Sequence, residues 1–153
     1  AWVEERGRPE FVTAIRTNGS GRLTGITLTM NDPINRALVW PQRLHVSLGY
    51  RDRVRTLVVD VAGPVTPVTA AAGLDRPLYV LPNGGGIGYG LFVLDDESRE
   101  YLLDHVEEVP DVLTRGSAWV TLWDNLLESG IAPGRFRCVI GAAPPWWIIA
   151  TSC

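Results

Sequence analysis

Leu44-His45-Val46-Ser47-Leu48-Gly49-Tyr50 alternates apolar and polar positions without a break, and the β-branched run from Val54 to Val61 follows it closely. A period of two puts Leu44, Val46 and Leu48 on one face and His45 and Ser47 on the other, the pattern of a half-buried strand. Upstream, Glu10 to Arg16 alternates in the same way. Asn18-Gly19-Ser20-Gly21 then supplies residues that tolerate positive φ, which predicts a hairpin into Leu23 to Met30. The break in that strand at Thr24-Gly25 reads as a bulge. Downstream, Val65 to Ala70 continues after Pro64, and Leu78 to Leu81 and Ile87 to Leu94 flank a glycine-rich turn. These seven strand candidates at regular spacing predict a mainly β chain, an antiparallel β-sandwich. The last two strands are expected to pair with each other. Pro82 to Gly86 would make the reversal, and Tyr89 and Phe92 would lie on opposite faces.

The pattern changes at Asp95. Asp95-Asp96-Glu97-Ser98 is acidic and cap-forming, and Tyr101, Leu102, His105, Val106 and Val109 recur at helical spacing. Pro110 interrupts, and Asp111 is placed to start a second helix. Val112, Leu113, Trp119, Val120, Trp123, Leu126 and Leu127 are expected to line one broad apolar face, with Ser129-Gly130 ending the helix. The expected organisation is a β-sandwich over 1–94, an α-helical hairpin over 95–134 and an atypical tail over 135–153. Past Phe136 the chain has neither period nor, beyond Arg137, charge, and it reads as foreign to the preceding domain rather than as a docking strand. The first residues, Ala1-Trp2-Val3-Glu4-Glu5, have no signal-peptide pattern and no initiator Met, so the chain reads as a piece of something longer. The compartment stays open.

Composition narrows the function. The 153 residues carry a formal net charge of −3, the wrong sign for an electrostatic nucleic-acid or anionic-membrane binder. No apolar run approaches the ~18 residues of a membrane span. All 14 basic residues are arginine, which excludes a lysine nucleophile, a Schiff base or a P-loop lysine. Cys138 and Cys153 both lie in the tail, so the preceding domain is not a disulfide scaffold.

The residues with chemistry are few. His45, on the polar face of its strand beside Arg43 and Ser47, reads as a solvent-side or hydrogen-bonded strand residue. His105, beside Asp104 and a turn after Tyr101, reads as a partly buried helix residue. No H-x-x-H, H-E-x-x-H or C-x-x-C spacing occurs, and no G-x-S-x-G. Gly84-Gly85-Gly86-Ile87-Gly88-Tyr89-Gly90 does not fit G-x-G-x-x-G, and a strand rather than a helix follows it, so it reads as a turn. Asp95, Asp96 and Glu97 read as capping rather than calcium-binding residues. Asn18-Gly19-Ser20 matches a glycosylation sequon by pattern alone. No catalytic, cofactor-binding or metal-binding residue is expected.

The order of elements is informative. Trp2, Gly7 and Pro9 precede a strand; Trp40-Pro41 precede another; Tyr79-Val80-Leu81-Pro82-Asn83 leads through glycines to Gly88-Tyr89-Gly90. Leu94-Asp95 and Ser98 follow, and then a helix with Arg115 and Trp119. Over about residues 1–134 this resembles the segment after the catalytic domain in zinc aminopeptidases of the aminopeptidase N and puromycin-sensitive type. There a tryptophan and a Gly-x-Pro introduce a small β-sandwich, an Asn-to-Gly-Tyr turn precedes its last strand, and a helical domain begins. The resemblance implies a non-catalytic spacer in a parent enzyme that releases N-terminal residues with zinc-activated water. The zinc would be bound elsewhere in that parent. The family's H-E-x-x-H and Gly-x-Met-Glu-Asn motifs are absent, so no family catalytic residue is carried onto this chain. The partners implied are the parent's own catalytic and helical domains. With the later helices missing, self-association through Trp119 and Trp123 is expected. The other reading is a free-standing sandwich that binds protein through a sheet edge or a tryptophan-rich patch.

Overall fold

The computed structural model describes residues 7–128 and 131–132. Seven strands form two sheets, and helices follow. The strands are β1 (Glu10–Thr17), β2 (Leu23–Asn31), β3 (Gln42–Gly49), β4 (Val54–Val61), β5 (Val65–Pro67), β6 (Tyr79–Leu81) and β7 (Leu91–Val93). One sheet has the order β5-β2-β1-β7 and the other β4-β3-β6. The mainly β sandwich followed by helices is as expected from the alternation. Every pairing is antiparallel except β1 with β7, which is parallel.

Each strand forms for a reason visible in its residues. Phe11, Ile26, Leu28, Leu44, Val46, Leu48 and Val61 are at most 2% exposed and meet between the sheets. Trp40 seals the same core. Asn18 closes the β1–β2 turn, its Oδ1 accepting from the Ser20 and Arg22 N–H groups at 3.1 and 2.9 Å. The register steps from Arg16↔Gly25 to Thr17↔Leu23, so Thr24 is the extra residue of the expected bulge. β5 stops at Pro67, short of the expected Ala70, because proline has no N–H for the ladder. A 3₁₀ turn, Thr69–Ala71, takes over.

The last two strands depart from expectation. β6 and β7 do not pair with each other. β6 joins β3, with Leu48 opposite Val80, and β7 joins β1, with Phe11 opposite Phe92. The segment between them crosses from one sheet to the other instead of reversing within one. β7 is also shorter than Ile87 to Leu94, and Ile87 is exposed. Phe92 stacks on Phe11 in the core, ring centroids 5.1 Å apart. Tyr89 precedes the strand, and its hydroxyl donates to the Gly7 carbonyl at 3.2 Å.

The helices are α1 (Asp96–His105), a 3₁₀ turn (Val106–Glu108) and α2 (Val112–Leu127). Asp95 and Asp111 are the N-caps, accepting from the Ser98 and Thr114 N–H groups at 3.0 and 2.7 Å. Val106 and Val109 are buried, but in the 3₁₀ turn and its exit rather than in α1. Ser129, Gly130, the tail beyond Ala132 and the opening residues through Arg6 lie outside the described residues.

Asp32 organises the β2–β3 connection. Its carboxylate, 2% exposed, accepts from the N–H groups of Ile34, Arg36 and Leu38 and pairs with the Arg36 guanidinium at 3.2 Å. This holds Asn35 and Ala37 at positive φ (55° and 57°). Burial alone would raise its pKa, but Arg36 and the three backbone donors prevail and lower it from 3.8 to about 2. A depressed carboxylate stabilises the fold above its unfolded pKa, and that stability is lost as pH falls through the folded value. The Asp32 contribution is therefore complete above about pH 5 and disappears between about pH 4 and pH 2. Acid titration of urea stability should show a shallower decline over that window in Asp32→Asn than in the native sequence.

Candidate functional site

The polar chemistry of the chain concentrates where the helices meet the sandwich. β6 is buried on both faces: Val80 points into the sandwich core, and Tyr79 and Leu81 point into a second core with Leu94, Leu102, Leu103, Val106, Ala118 and Leu122. A short strand between two cores leaves one backbone edge without a neighbour. Ser98 on α1 meets it, its Oγ accepting from the Val80 N–H at 2.8 Å. The β7 end is closed in the same way. Asn125 on α2 donates to the Phe92 carbonyl at 2.7 Å and accepts from the Leu94 N–H at 3.4 Å. Ser117 donates to the Asn83 carbonyl.

These bonds explain why α2 packs the other way round from its amphipathic reading. Its buried residues are Thr114, Ser117, Ala118, Thr121, Leu122 and Asn125, mostly small or polar. They face strand edges and a loop, whose backbone groups require hydrogen-bonding partners. Val112, Leu113, Val120, Trp123 and Leu127 are exposed instead. Trp119 and Leu126 pack against the second core. The single broad apolar face expected from the sequence is thus divided, and its two tryptophans lie on different parts of it: Trp123 is 48% exposed, and Trp119 is partly buried.

The glycine segment has its own internal partners. The Asn83 side chain accepts from the Gly88 N–H at 2.8 Å and donates to the Gly88 carbonyl at 3.2 Å. Gly84 donates to the His45 carbonyl at 2.8 Å and Gly86 to the Asn83 carbonyl at 2.9 Å. Only Gly86 and Gly90 of this run have positive φ. The others are glycine for space. A Cβ at Gly84 would strike the Ser47 side chain, its Cβ 2.6 Å away, and one at Gly85 would come 2.7 Å from His45 Nδ1. Gly84 and Gly85 lie against Ser47 and His45 on the outer face of β3, whereas Gly88 packs against Leu44 and Phe92. The run is a close-packed crossing, not the chain reversal expected of it.

The other residues singled out by the sequence are also placed. His45 faces Gly85, opposite Val58 of β4. His105 packs on the Tyr101 ring at 4.7 Å, its Nδ1 3.2 Å from Glu108. Arg43 pairs with Asp60 at 2.7 Å. In the acidic stretch, Asp95 caps α1, Asp96 pairs with Arg99 at 2.9 Å and Glu97 pairs with Arg76. Among the described residues no three His, Cys, Asp or Glu side chains gather as metal ligands, and no helix is long and apolar enough to cross a membrane. The polar stitches at Ser98, Ser117 and Asn125 were missed in the sequence as functional positions. For Ser117 and Asn125 the signal was small polar residues repeating at helical spacing along α2.

No protein-family profile matches the chain. It is 25% identical over 152 residues to aminopeptidase N of Streptomyces lividans, an alignment that covers 92% of this chain and 18% of that protein. The chain thus spans a small part of the length of the curated relative it matches. The similarity is to a segment of that aminopeptidase and not to its whole length.

Asn125→Ala should cost about 2–4 kcal/mol in urea denaturation, because it strands a buried carbonyl and a buried N–H together. Amide exchange should speed up first in α2 and β7. Gly84→Ala should cost about 1–3 kcal/mol by overpacking against Ser47. Gly86→Ala, where space is open but φ is +67°, should cost about 1 kcal/mol. An equal or smaller loss at Gly84 would contradict the close-packed crossing.

Proposed function

We propose that this chain is a non-catalytic spacer within a larger zinc aminopeptidase, holding a helical domain in fixed orientation to the rest of the enzyme. The observation that carries this reading is the interlock of helices and sandwich through Ser98, Ser117 and Asn125. Such bonds fix direction and register as apolar packing alone does not. The distant likeness to a segment of aminopeptidase N supplies the parent. In that parent, N-terminal residues would be removed from peptides by zinc-activated water. The described residues of this chain do not fit a zinc site: His45 and His105 face different neighbours, and no ligand trio forms around either. No chemical step is therefore assigned to the chain itself.

The exposed stripe Leu113, Val120, Trp123 and Leu127 has a place in this reading. It is the surface on which the parent's following helices would pack. In the chain alone it would support weak self-association through Trp119 and Trp123. The same stripe is what favours the second reading, a free-standing interaction module.

The spacer reading is tested by replacing the matched segment of the Streptomyces lividans protein with this chain. Retained aminopeptidase turnover in the chimera supports it; a folded, zinc-loaded chimera without turnover counts against it. The isolated chain should release no amino acid from an aminoacyl reporter and retain no stoichiometric zinc after dialysis. Sedimentation should show a concentration-dependent dimer. Trp123→Glu should abolish it, since burying an indole contributes about 2–3 kcal/mol.

A further inference from the structure

The outer edges of the two sheets are not closed alike. β6 is met on its free side by Ser98, and β7 by Asn125. β5, the far edge of the first sheet, is three residues long, follows Pro64 and ends on Pro67, so it offers a partner little ladder. β4, the far edge of the second sheet, has none of these protections. It is eight residues long, contains no proline and pairs with β3 over its whole length without a register shift. Its two charges, Arg55 and Asp60, are of opposite sign, so they select among partners rather than repel all of them.

The phase of the ladder fixes which backbone groups face outward. The Tyr50 N–H donates to the Arg53 carbonyl at 2.8 Å across the β3–β4 turn. Bonded and non-bonded pairs alternate along an antiparallel ladder, so Arg55, Leu57, Val59 and Val61 exchange bonds with β3. Val54, Thr56, Val58 and Asp60 therefore direct their N–H and C=O groups away from it. The other side of β3 keeps the same phase: His45, in a non-bonded pair with Val58, gives its carbonyl to the Gly84 N–H at 2.8 Å instead. Among the described residues nothing meets the outward groups of β4.

The side chains define what would suit this edge. Thr56, Val58 and Asp60 are exposed on the outer face. Leu57, Val59 and Val61 are buried in the sandwich core on the inner face. Arg55 is exposed where that face leaves the core, and it has no ion-pair partner among the described residues. Asp60 pairs with Arg43 at 2.7 Å, yet its side chain stays 68% exposed. A strand added antiparallel would set apolar side chains beside Leu57 and Val59, an acid opposite Arg55 and a base opposite Asp60.

We propose that the outer edge of β4 binds an extended segment of a partner polypeptide by antiparallel strand addition, its alternate apolar side chains extending the sandwich core and an acidic residue lying opposite Arg55. The edge belongs to the sandwich itself, so the proposal rests neither on the spacer reading nor on the stripe of α2.

The experiment is an amide-shift titration of the full chain with the end-capped hexapeptide Lys-Val-Thr-Val-Thr-Glu. Antiparallel to β4, this probe sets its lysine opposite Asp60, its valines opposite Val59 and Leu57 and its glutamate opposite Arg55. Saturable shifts centred on Val54 to Val61 are expected, with slowed exchange of the Thr56, Val58 and Asp60 amides. Methylating the two threonine nitrogens of the probe, which face β4, should weaken binding about tenfold; methylating its two valine nitrogens, which face away, should change it by less than about twofold. The reversed sequence sets like charges together and should bind about fivefold more weakly. Val58→Pro removes an outward N–H and no bond to β3, and should weaken the probe about tenfold. Absence of saturable shifts, shifts centred elsewhere, equal effects of the two methylations, equal or tighter binding of the reversed sequence, or native affinity in folded Val58→Pro would overturn the proposal. If Val58→Pro does not fold, the methylated and reversed probes decide.

Discussion

The whole arrangement depends on the unpaired backbone edges of two short strands. β6 and β7 are each three residues long and lie at the edges of different sheets. Each has one ladder partner, β3 or β1, and a second edge that would otherwise present bare N–H and C=O groups to a buried environment. Such groups cost too much to leave unpaired in a core. The helices supply the missing partners through side chains rather than through another strand. Once Ser98 and Asn125 are committed to those edges, the rotation of α1 and α2 about their axes is set. The second core then closes around Tyr79, Leu81 and Leu94.

The glycine crossing serves the same constraint. A chain that leaves β6 in one sheet and enters β7 in the other has to pass close over β3. The contacts of Gly84 with Ser47 and of Gly85 with His45 leave no room for side chains. Asn83 fastens the crossing to itself through Gly88, and Ser117 fastens it to α2. The crossing, the strand edges and the helix face are therefore coupled, and altering one obliges the others to shift.

This coupling explains what was legible in the sequence. Period two located β1, β2 and β3, each with one face toward the sandwich core, while β4 was legible from its β-branched run and β5, β6 and β7 from the proline and glycine turns beside them. The Asn18 turn, the Thr24 bulge and the Asp95 and Asp111 caps were legible for the same reason, since each is decided by residues within a few positions. The partner of β7 was not legible. Neighbouring strands usually pair, and nothing local in Ile87 to Leu94 distinguishes pairing with β6 from parallel pairing with β1. The packing of α2 was not legible either, because amphipathic reasoning assumes an apolar partner. Here the partner is backbone, and Thr114, Ser117, Thr121 and Asn125 are the residues suited to it.

The inverted helix also accounts for the exposed stripe. α2 presents Ser117 and Asn125 to the crossing and the strand edge, so of its large apolar residues only Leu122 is fully buried beside them. Leu113, Val120 and Leu127 recur at seven-residue spacing on the opposite side, with Trp123 between them. A stripe of that spacing is the seam by which one helix packs on another. The polar residues of the inner face therefore anchor the helix to the sandwich, while Leu113, Val120 and Leu127 are exposed. The same inner face carries Ala118 and Leu122, both fully buried, which tie the helix to the second core beside the polar contacts.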